Sequence, residues 1–330
     1  MKAVISEGYG GEDVLRVEER PSPELKPGSI RIEVTAAALN RADLLQRRGF
    51  YPPPPGAPEI LGLECAGSVA EPGVGVTDFE PGSRVMALVP GGGQAAEAVV
   101  DSGSVIPVPD HFSREEAGAF PEVYLTTHLN LFMLGGLGPE QTALVHGGSG
   151  GVGTAAIQLV RAIGARVIVT AGSPDRCRRC RDLGADLAVD YHREDFEALC
   201  LDATDDRGVD VVLDCIGGPY LEKNLGALTT EGRLVVIGLM GGTDGKLDMR
   251  RLLSKRIRII GSTLRALSAG RKAEIVDSFL DRFGDALRDG RLRPVIDSVF
   301  PIERVADAHR RLASGEAFGK VVLTIGQRSL

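Results

Sequence analysis

Three glycines near the middle of the chain have the spacing of a phosphate-binding loop. Gly148, Gly150 and Gly153 form G-x-G-x-x-G within LVHGGSGGVGTAAIQL. The apolar run before them predicts a buried strand, and the residues after them predict a helix. Such glycines allow a tight turn, a close approach of backbone to a pyrophosphate, and close packing of helix on strand. Free N–H groups at the helix start bind phosphate, so Gly151 and Val152 belong to the same predicted site.

The residues after the second predicted strand favour a cofactor with an additional phosphate. Sites for NADH usually place Asp or Glu about 20 residues beyond the glycines. This chain has Thr170-Ala171-Gly172-Ser173 there, without an acid. Ser173 is predicted to cap the next helix. Arg176 in its first turn is disfavoured by the helix dipole, whereas it suits a 2′-phosphate. We therefore expect NADPH rather than NADH.

The order of predicted elements indicates two domains. Residues 1 to about 110 contain short β-branched segments between glycine and proline signals, typical of an antiparallel barrel or sandwich. Ser113 and Glu116 have capping-box spacing, which predicts a helix that Pro121 interrupts. From Thr142 strands and helices alternate, and near-continuous Val, Ile and Leu runs predict a doubly wound parallel sheet. The fold class is therefore α/β, and the C-terminal segment is expected to rejoin the β-rich first part.

Composition narrows the range of partners and the location. The 330 residues are 43% hydrophobic and 25% charged, and the formal net charge of −7 argues against a surface that coats nucleic acid. The five cysteines form no disulfide framework, and no uncharged apolar run approaches the roughly 20 residues of a membrane span. The N-terminus lacks the apolar core of a signal peptide. These features predict a cytoplasmic protein that does not enter a membrane.

Several long motifs, in order, resemble one enzyme family. The motifs are ALNRADLLQRRGFYPPPPGAPEILGLECAG, ALVPGGGQA, VHGGSGGVGTAAIQL, LDCIGGPYLEKNL, VVIGLMGG and FGKVVL. The chain resembles the zinc-free medium-chain dehydrogenases/reductases, specifically the zeta-crystallin-like quinone oxidoreductases, and most closely their tumour-suppressor-inducible members. The resemblance implies a GroES-like catalytic domain over residues 1–121, completed by 265–330. It implies a Rossmann NADP(H)-binding domain over residues 122–264.

The resemblance also implies site residues, with the active site in the cleft between the two domains. Asn40 and Tyr51 fall where the family contacts the nicotinamide and the substrate, which makes both of them candidate catalytic and cofactor-binding residues. Ser173, Arg176 and Tyr191 fall where the family binds the adenosine 2′-phosphate. Further cofactor contacts are implied for Thr127, Ile216, Leu239, Met240 and Gly319.

Departures from related sequences bear on the chemistry. Gly150 stands where close relatives have a serine. Any role of that serine hydroxyl is therefore not carried over to this chain. The segments Leu39–Asp43 and Gly62–Glu64 lack the cysteine and histidine that bind zinc in other branches of the superfamily. Cys177 and Cys180 lie on a predicted helix without a partner pair, which indicates ordinary helical cysteines. We therefore expect no metal.

Without a metal to polarise a carbonyl, the substrate must already be electrophilic, as quinones and conjugated enones are. We expect hydride transfer from NADPH to a quinone, with Tyr51 or an ordered water returning the proton. Tyr51 could instead pack on the prolines that follow it, and Asn40 could be a turn or cap residue.

The sequence is also compatible with two other functions, and it predicts a second copy of the chain as a partner. An enone or 2-enoyl thioester reductase would share the fold and the cofactor. A cofactor-bound RNA-binding protein is suggested by basic stretches that begin at Arg176 and Arg250, although net acidity argues against nucleic acid. RIRIIGST has the pattern of an edge strand, and edge strands must be covered. The family pairs this region across a two-fold axis, so we expect a homodimer.

Overall fold

The computed structural model describes residues 1–326 and divides the chain into two compact units. The first unit comprises Met1–Val123 together with the chain from Leu264 onward. The second unit is continuous, from Tyr124 to Thr263.

Strands and helices are numbered here in chain order. The strands are β1 (Lys2–Ser6), β2 (Leu15–Glu19), β3 (Ser29–Ala38), β4 (Glu64–Pro72), β5 (Arg84–Leu88), β6 (Glu97–Asp101), β7 (Val105–Pro107), β8 (Thr142–His146), β9 (Arg166–Ala171), β10 (Leu187–Asp190), β11 (Val209–Asp214), β12 (Leu228–Val236), β13 (Arg258–Gly261), β14 (Ile296–Pro301) and β15 (Lys320–Thr324). The helices are α1 (Arg41–Arg47), α2 (Arg114–Gly118), α3 (Pro121–Thr127), α4 (Gly151–Ala162), α5 (Pro174–Leu183), α6 (Phe196–Asp202), α7 (Leu221–Ala227), α8 (Met249–Ser254), α9 (Ala269–Arg288) and α10 (Val305–Ala313).

The first unit is built on a largely antiparallel sheet. Its strands follow the order β14-β15-β3-β4-β5-β7, and β6 also pairs with β3. Strand β3 alternates buried and less buried side chains, so Ile30, Ile32 and Val34 point into the core. The last strand, β15, pairs antiparallel with β3 and thereby joins the C-terminal segment to the first part of the chain.

The second unit is the expected parallel α/β sheet. Its strands run β10-β9-β8-β11-β12-β13, all in parallel. The residues of β8 and β11 are buried throughout, which explains why their sequences are mainly apolar. Because β8 pairs with β9 on one side and β11 on the other, the chain order reverses at β8. In open α/β sheets, ligands bind outside the carboxyl ends of the strands at such a reversal.

Pro121 opens a helix where the sequence suggested an interruption followed by a restart near Val123. Helix α2 ends at Gly118, and α3 begins at Pro121 itself. Proline suits a first helical position because its missing N–H has no partner there in any residue. The helical path then continues as a π-helix over His128–Leu134. No helix in the described part of the chain is both long and apolar enough to cross a membrane.

Candidate cofactor-binding and catalytic residues

The glycine loop connects β8 to α4, as its sequence predicts, but the tight turn lies one residue earlier than expected. Gly147 has φ +74°, in the left-handed region, whereas none of Gly148, Gly150 and Gly153 has a positive φ. A Cβ on Gly148 would lie 2.6 Å from the Cβ of Val169. A Cβ on Gly153 would lie 2.4 Å from the carbonyl oxygen of Gly147. Gly148 and Gly153 therefore serve close packing, and the left-handed turn belongs to Gly147.

Gly150 is different, because space surrounds it. It is the N-cap of α4 with extended backbone (φ −82°, ψ 175°). Within the described residues, a Cβ there would meet only the Gly147 carbonyl oxygen, at 3.4 Å. The N–H groups of the following turn, Gly151, Val152 and Gly153, have no partner within the helix, and no acidic residue lies in that turn. These N–H groups can bind a pyrophosphate, and a serine hydroxyl at position 150 would fit beside it.

The residues predicted to bind a 2′-phosphate lie together after β9 and β10. Ser173 caps α5, and its Oγ accepts a hydrogen bond from the Arg176 backbone N–H at 3.3 Å. The Tyr191 hydroxyl lies only 2.6 Å from where a Cβ on Gly172 would be, so glycine makes room for this ring. The predicted cap is confirmed, and the structure brings the three residues to one corner of the sheet.

The loops after β11 and β12 hold each other at the same edge. The backbone N–H of Met240 donates to Cys215 O (3.1 Å), and that of Gly241 donates to Ile216 O (2.8 Å). Leu239 and Met240 expose 55% and 52% of their surface, a large apolar exposure for such side chains. The Cys215 sulfur lies 3.4 Å from His146 O, which places this loop beside the glycine loop.

Two further predicted contacts lie elsewhere. Thr127 is fully buried, and its hydroxyl donates to Val152 O at 3.4 Å, beneath the start of α4. Gly319 lies in the first unit, where φ is +93° and a Cβ would lie 2.2 Å from Val295 O. Local backbone packing therefore accounts for glycine at position 319.

In the first unit, Asn40 belongs to a buried ionic cluster. Lys320 Nζ donates to Asn40 Oδ1 (2.6 Å) and pairs with Glu64 Oε1 (2.8 Å). Asn40 Nδ2 donates to the same Glu64 oxygen at 2.9 Å. Asn40 is also the N-cap of α1, and the Asp43 carboxylate accepts a bond from its backbone N–H. Both of the roles considered for Asn40, cap residue and site residue, are therefore compatible with its position.

Tyr51 packs on an arginine that the sequence did not single out. The Arg265 guanidinium lies 5.3 Å from the centre of the Tyr51 ring and donates to Tyr51 O at 3.2 Å. Arg265 is itself held by Pro90 O (2.7 Å) and Gln46 Oε1 (2.8 Å). Burial, reinforced by the Glu122 charge, raises the pKa of Tyr51 although Arg265 opposes the shift. The phenol is therefore protonated at neutral pH and can donate its proton.

Two more acids near these residues were missed at the sequence level. Burial raises the pKa of Asp43 to about 6, although hydrogen bonds from the backbone N–H groups of Asn40 and Gly62 lower it in part. Burial and the neighbouring Glu64 raise the pKa of Glu122 to about 8, so its carboxyl carries a proton at pH 7. A charged residue within an apolar segment, such as Glu122 in AFPEVYL, was the available signal.

The first unit also carries a cavity of about 870 Å³ between its N-terminal strand and the proline-rich loop. Tyr9, Pro52, Pro53 and Ile60 are among the residues that line it, whereas Asn40 and Tyr51 are not. We therefore place no substrate there.

The next feature is the distribution of cysteines and of side chains that could bind a metal. Within residues 1–326, no three or more His, Cys, Asp or Glu side chains are grouped so as to hold a metal ion. Cys177 and Cys180 are buried on α5, and burial raises the pKa of Cys180 to about 12, which keeps it a thiol.

Comparison with known proteins agrees with the fold. Residues 26–110 match the alcohol dehydrogenase GroES-like domain, and residues 151–281 match the zinc-binding dehydrogenase family. The synaptic vesicle membrane protein VAT-1 homolog of Mus musculus is 32% identical over 99% of this chain and 84% of its own length. Quinone oxidoreductase-like protein 2 of Bos taurus is 32% identical over 94% of this chain and 89% of its own length.

Solved structures extend the comparison. Escherichia coli quinone oxidoreductase, solved in complex with NADPH, has a TM-score of 0.86 and 25% identity over 98% of this chain and all of that one. CurK enoyl reductase has a TM-score of 0.85 and 26% identity over 98% of this chain and 99% of that one. The fold and its glycine loop define an NAD(P)-dependent oxidoreductase. The chain belongs to the medium-chain dehydrogenase/reductase superfamily, in the quinone oxidoreductase-like family.

Proposed function

We propose that the chain is an NADPH-dependent quinone reductase that works without zinc. The observation that carries the cofactor assignment is the grouping of Ser173, Arg176 and Tyr191 after β9 and β10, where an NADH site would have an acid. The relative solved with NADPH supports the same choice. When bound, NADPH supplies the hydride, and the protein supplies binding, orientation and the proton.

In this proposal the cofactor binds to the second unit, which corresponds to the predicted NADP(H)-binding domain at residues 122–264. The N–H groups of Gly151 and Val152 bind the pyrophosphate at the carboxyl end of β8, with Gly148, Gly150 and Gly153 permitting the approach. The exposed Leu239 and Met240, with Ile216, offer apolar contacts beside them; Thr127 and Gly319 complete the proposed set.

Asn40 and Tyr51 are the proposed catalytic residues and also contact the nicotinamide end. Reduction leaves negative charge on a substrate oxygen, and a protonated phenol such as Tyr51 can neutralise it. Arg265 then lies close enough to stabilise the resulting phenolate. One amide N–H of Asn40 is bound to Glu64, so its second N–H remains for a carbonyl oxygen of the substrate or cofactor.

The cofactor assignment is tested by Arg176→Ala, with Arg178→Ala as the matched control on the same helix. Arg178 is engaged with Asp175 and Asp182, so its removal takes away only surface ion pairs. The ratio of kcat/KM for NADPH to that for NADH should fall about tenfold or more in the first variant, since a charged hydrogen bond to phosphate is lost. An unchanged ratio would remove Arg176 from the proposal.

The substrate class is tested by NADPH consumption with quinones, enones and 2-enoyl thioesters, together with a metal assay on the same sample. Turnover restricted to thioesters would favour the second candidate function, an enoyl reductase. The observation that favours this candidate is the similarity to CurK enoyl reductase. Stoichiometric zinc would contradict the zinc-free chemistry.

The RNA-binding alternative is weakened by the contacts of the basic stretches. Arg251 pairs with Glu197, Arg256 pairs with Glu231, and Lys255 Nζ donates to backbone carbonyls. These charges are engaged within the protein, which leaves fewer for phosphate. Filter binding to single-stranded RNA at physiological salt tests this view.

We also propose a cytoplasmic homodimer. Strand β13 forms the edge of the parallel sheet, and Ile259 exposes 41% of its surface there. Leu253 nearby exposes 80%. Covering this edge with a second copy would bury both side chains and pair the free backbone groups. A monomeric mass at micromolar concentration would contradict the dimer.

A further inference from the structure

A continuous chain of buried polar side chains runs beneath the carboxyl ends of three strands. The ring of His146, the last residue of β8, contacts Thr170 Oγ1 at 3.0 Å through Nδ1 and Asn224 Oδ1 at 2.7 Å through Nε2. Asn224 Nδ2 then donates to Asp214 Oδ2 at 3.1 Å. None of these four residues exposes more than 3% of its surface. We refer to Thr170, His146, Asn224 and Asp214 as the buried chain.

The donors and acceptors of the buried chain all agree in direction. Asn224 donates to Asp214 with its nitrogen, so its oxygen faces His146 and can only accept. His146 Nε2 therefore carries the proton, and Nδ1 accepts the Thr170 hydroxyl proton. Burial lowers the pKa of His146 to about 4, so the ring is neutral at pH 7. Phe196 and Tyr220 pack edge-on at 4.8 Å and fix the ring plane.

Each end of the buried chain holds one loop. At one end, Thr170 O accepts the Gly148 backbone N–H at 2.8 Å, and Thr170 Oγ1 lies 3.4 Å from the Gly147 nitrogen. At the other end, Asp214 Oδ1 accepts the backbone N–H of Ile216 at 2.6 Å and that of Gly217 at 3.2 Å. The glycine loop and the Ile216–Gly217 loop lie on the two sides of the strand-order reversal. One set of hydrogen bonds thus connects both loops.

We propose that Thr170, His146 and Asn224 are positioning residues that fix the glycine loop relative to the Ile216–Gly217 loop, so that the two halves of the dinucleotide bind in one orientation. The inference rests on the proposed cofactor. None of the three residues needs to touch it. The proposal assigns the phosphates to the glycine loop and the nicotinamide half to the Ile216–Gly217 loop. The second site then depends on the first, because a shift of either loop would break a buried hydrogen bond.

The test compares Thr170→Val, which removes the hydroxyl, with Thr170→Ser, which keeps it. Thr204→Val is the matched control, because Thr204 is a buried threonine of the same unit whose hydroxyl bonds Cys200 O (2.7 Å) and Gly208 N (2.9 Å), before β11 begins. The measurements are the melting temperature, the Kd for NADPH and the Kd for 2′,5′-ADP, a fragment that lacks the nicotinamide half. Asn224→Ser gives a second break in the buried chain should Thr170→Val fail to fold.

We expect Thr170→Val to raise the Kd for NADPH about five- to tenfold, the effect of one lost hydrogen bond. Asn224→Ser removes two hydrogen bonds and should raise this Kd at least as much. In both variants the Kd for 2′,5′-ADP should stay within about twofold. Thr170→Ser should bind NADPH like the unaltered chain, and Thr204→Val should lower only the melting temperature. Equal loss for NADPH and the fragment, or no loss for NADPH, would overturn the positioning role. Failure of the unaltered chain to bind NADPH would instead contradict the proposed function, which separates the two outcomes.

Discussion

Lys320 and Glu64 form an ion pair of 2.8 Å in which neither side chain is more than 3% exposed. They are the first residues of β15 and β4, which both pair with β3, and Asn40 lies just beyond the end of β3. Antiparallel pairing brings the three residues to one end of the sheet. The C-terminal strand thus supplies the cation that compensates a carboxylate beside a proposed catalytic residue.

Removing that cation should destabilise the first unit. Lys320→Met leaves Glu64 buried without its charge partner, which costs about 3–5 kcal/mol in the free energy of unfolding, measured by urea titration. The exposed pair of Lys2 and Glu303, at 3.0 Å, provides the control, since Lys2→Met should leave the free energy of unfolding nearly unchanged. Adding Glu64→Gln to Lys320→Met should recover part of the loss; fully additive losses would contradict the pairing.

The glycine loop should discriminate sharply between two of its glycines. Gly153→Ala places a Cβ 2.4 Å from the Gly147 carbonyl oxygen, so the turn must shift and NADPH binding should fall at least about tenfold. Gly150→Ser places a side chain in open space at a helix N-cap, where serine is a few tenths of a kcal/mol better than glycine. Calorimetric Kd values and melting temperatures for both variants test this. Equal losses would contradict the different roles assigned to Gly150 and Gly153.

Tyr51→Phe should separate binding from turnover. It keeps the ring on Arg265 and removes the proton that the proposal assigns to the product. We expect kcat with a quinone to fall about 10²-fold while the Kd for NADPH is unchanged. Tyr9→Phe, at a tyrosine that is 76% exposed, is the control. Full turnover by Tyr51→Phe would assign the proton to another group, and the protonated Glu122 would be the next to test.

Acid should destabilise the first unit through His309. This ring is fully buried on α10, and neither nitrogen has a hydrogen-bond partner among residues 1–326. Burial together with the nearby Arg47 lowers its pKa to about 3. Between pH 6.5 and 3 the unfolded chain binds a proton that the folded chain excludes, so stability is lost as pH falls, by at most about 1.4 kcal/mol per pH unit. Above pH 6.5 this contribution is absent.

His309→Leu should therefore reduce the loss of stability between pH 6.5 and 4.5 and leave stability at pH 7.5 equal or higher, because no polar group is left unpaired. Urea titrations at the three pH values measure it. His111→Leu, at an exposed ring, controls for composition. His146 contributes with the same sign in the other unit, so some acid sensitivity should remain.

Local patterns made the second unit predictable. The strand, glycines and helix from Leu144 to Leu159 follow one another within a few residues, and Ser173 and Pro174 define their own helix start, so neighbouring residues carry the information. The left-handed conformation of Gly147 was not predictable, because the motif spacing does not say which glycine has a positive φ.

The buried charges of the first unit were not predictable in the same way. Lys320 and Asn40 are 280 residues apart, and Arg265 contacts Gln46 across 219 residues. A single sequence contains no periodicity that relates such positions, and a lone Lys before VVL also fits a solvated strand start. Only the strand order of the sheet brings these charges together, and so the cluster became visible with the fold.

The pairing of β15 with β3 has a consequence for synthesis on the ribosome. The second unit is one uninterrupted stretch and can form while the chain is still growing, whereas the sheet of the first unit lacks β15 until synthesis has passed Thr324. At about 5–20 residues per second, Asn40 waits roughly 15 to 55 s for Lys320. Over that interval the nascent first unit has an open strand edge and an uncompensated Glu64, which makes it a natural client for chaperones.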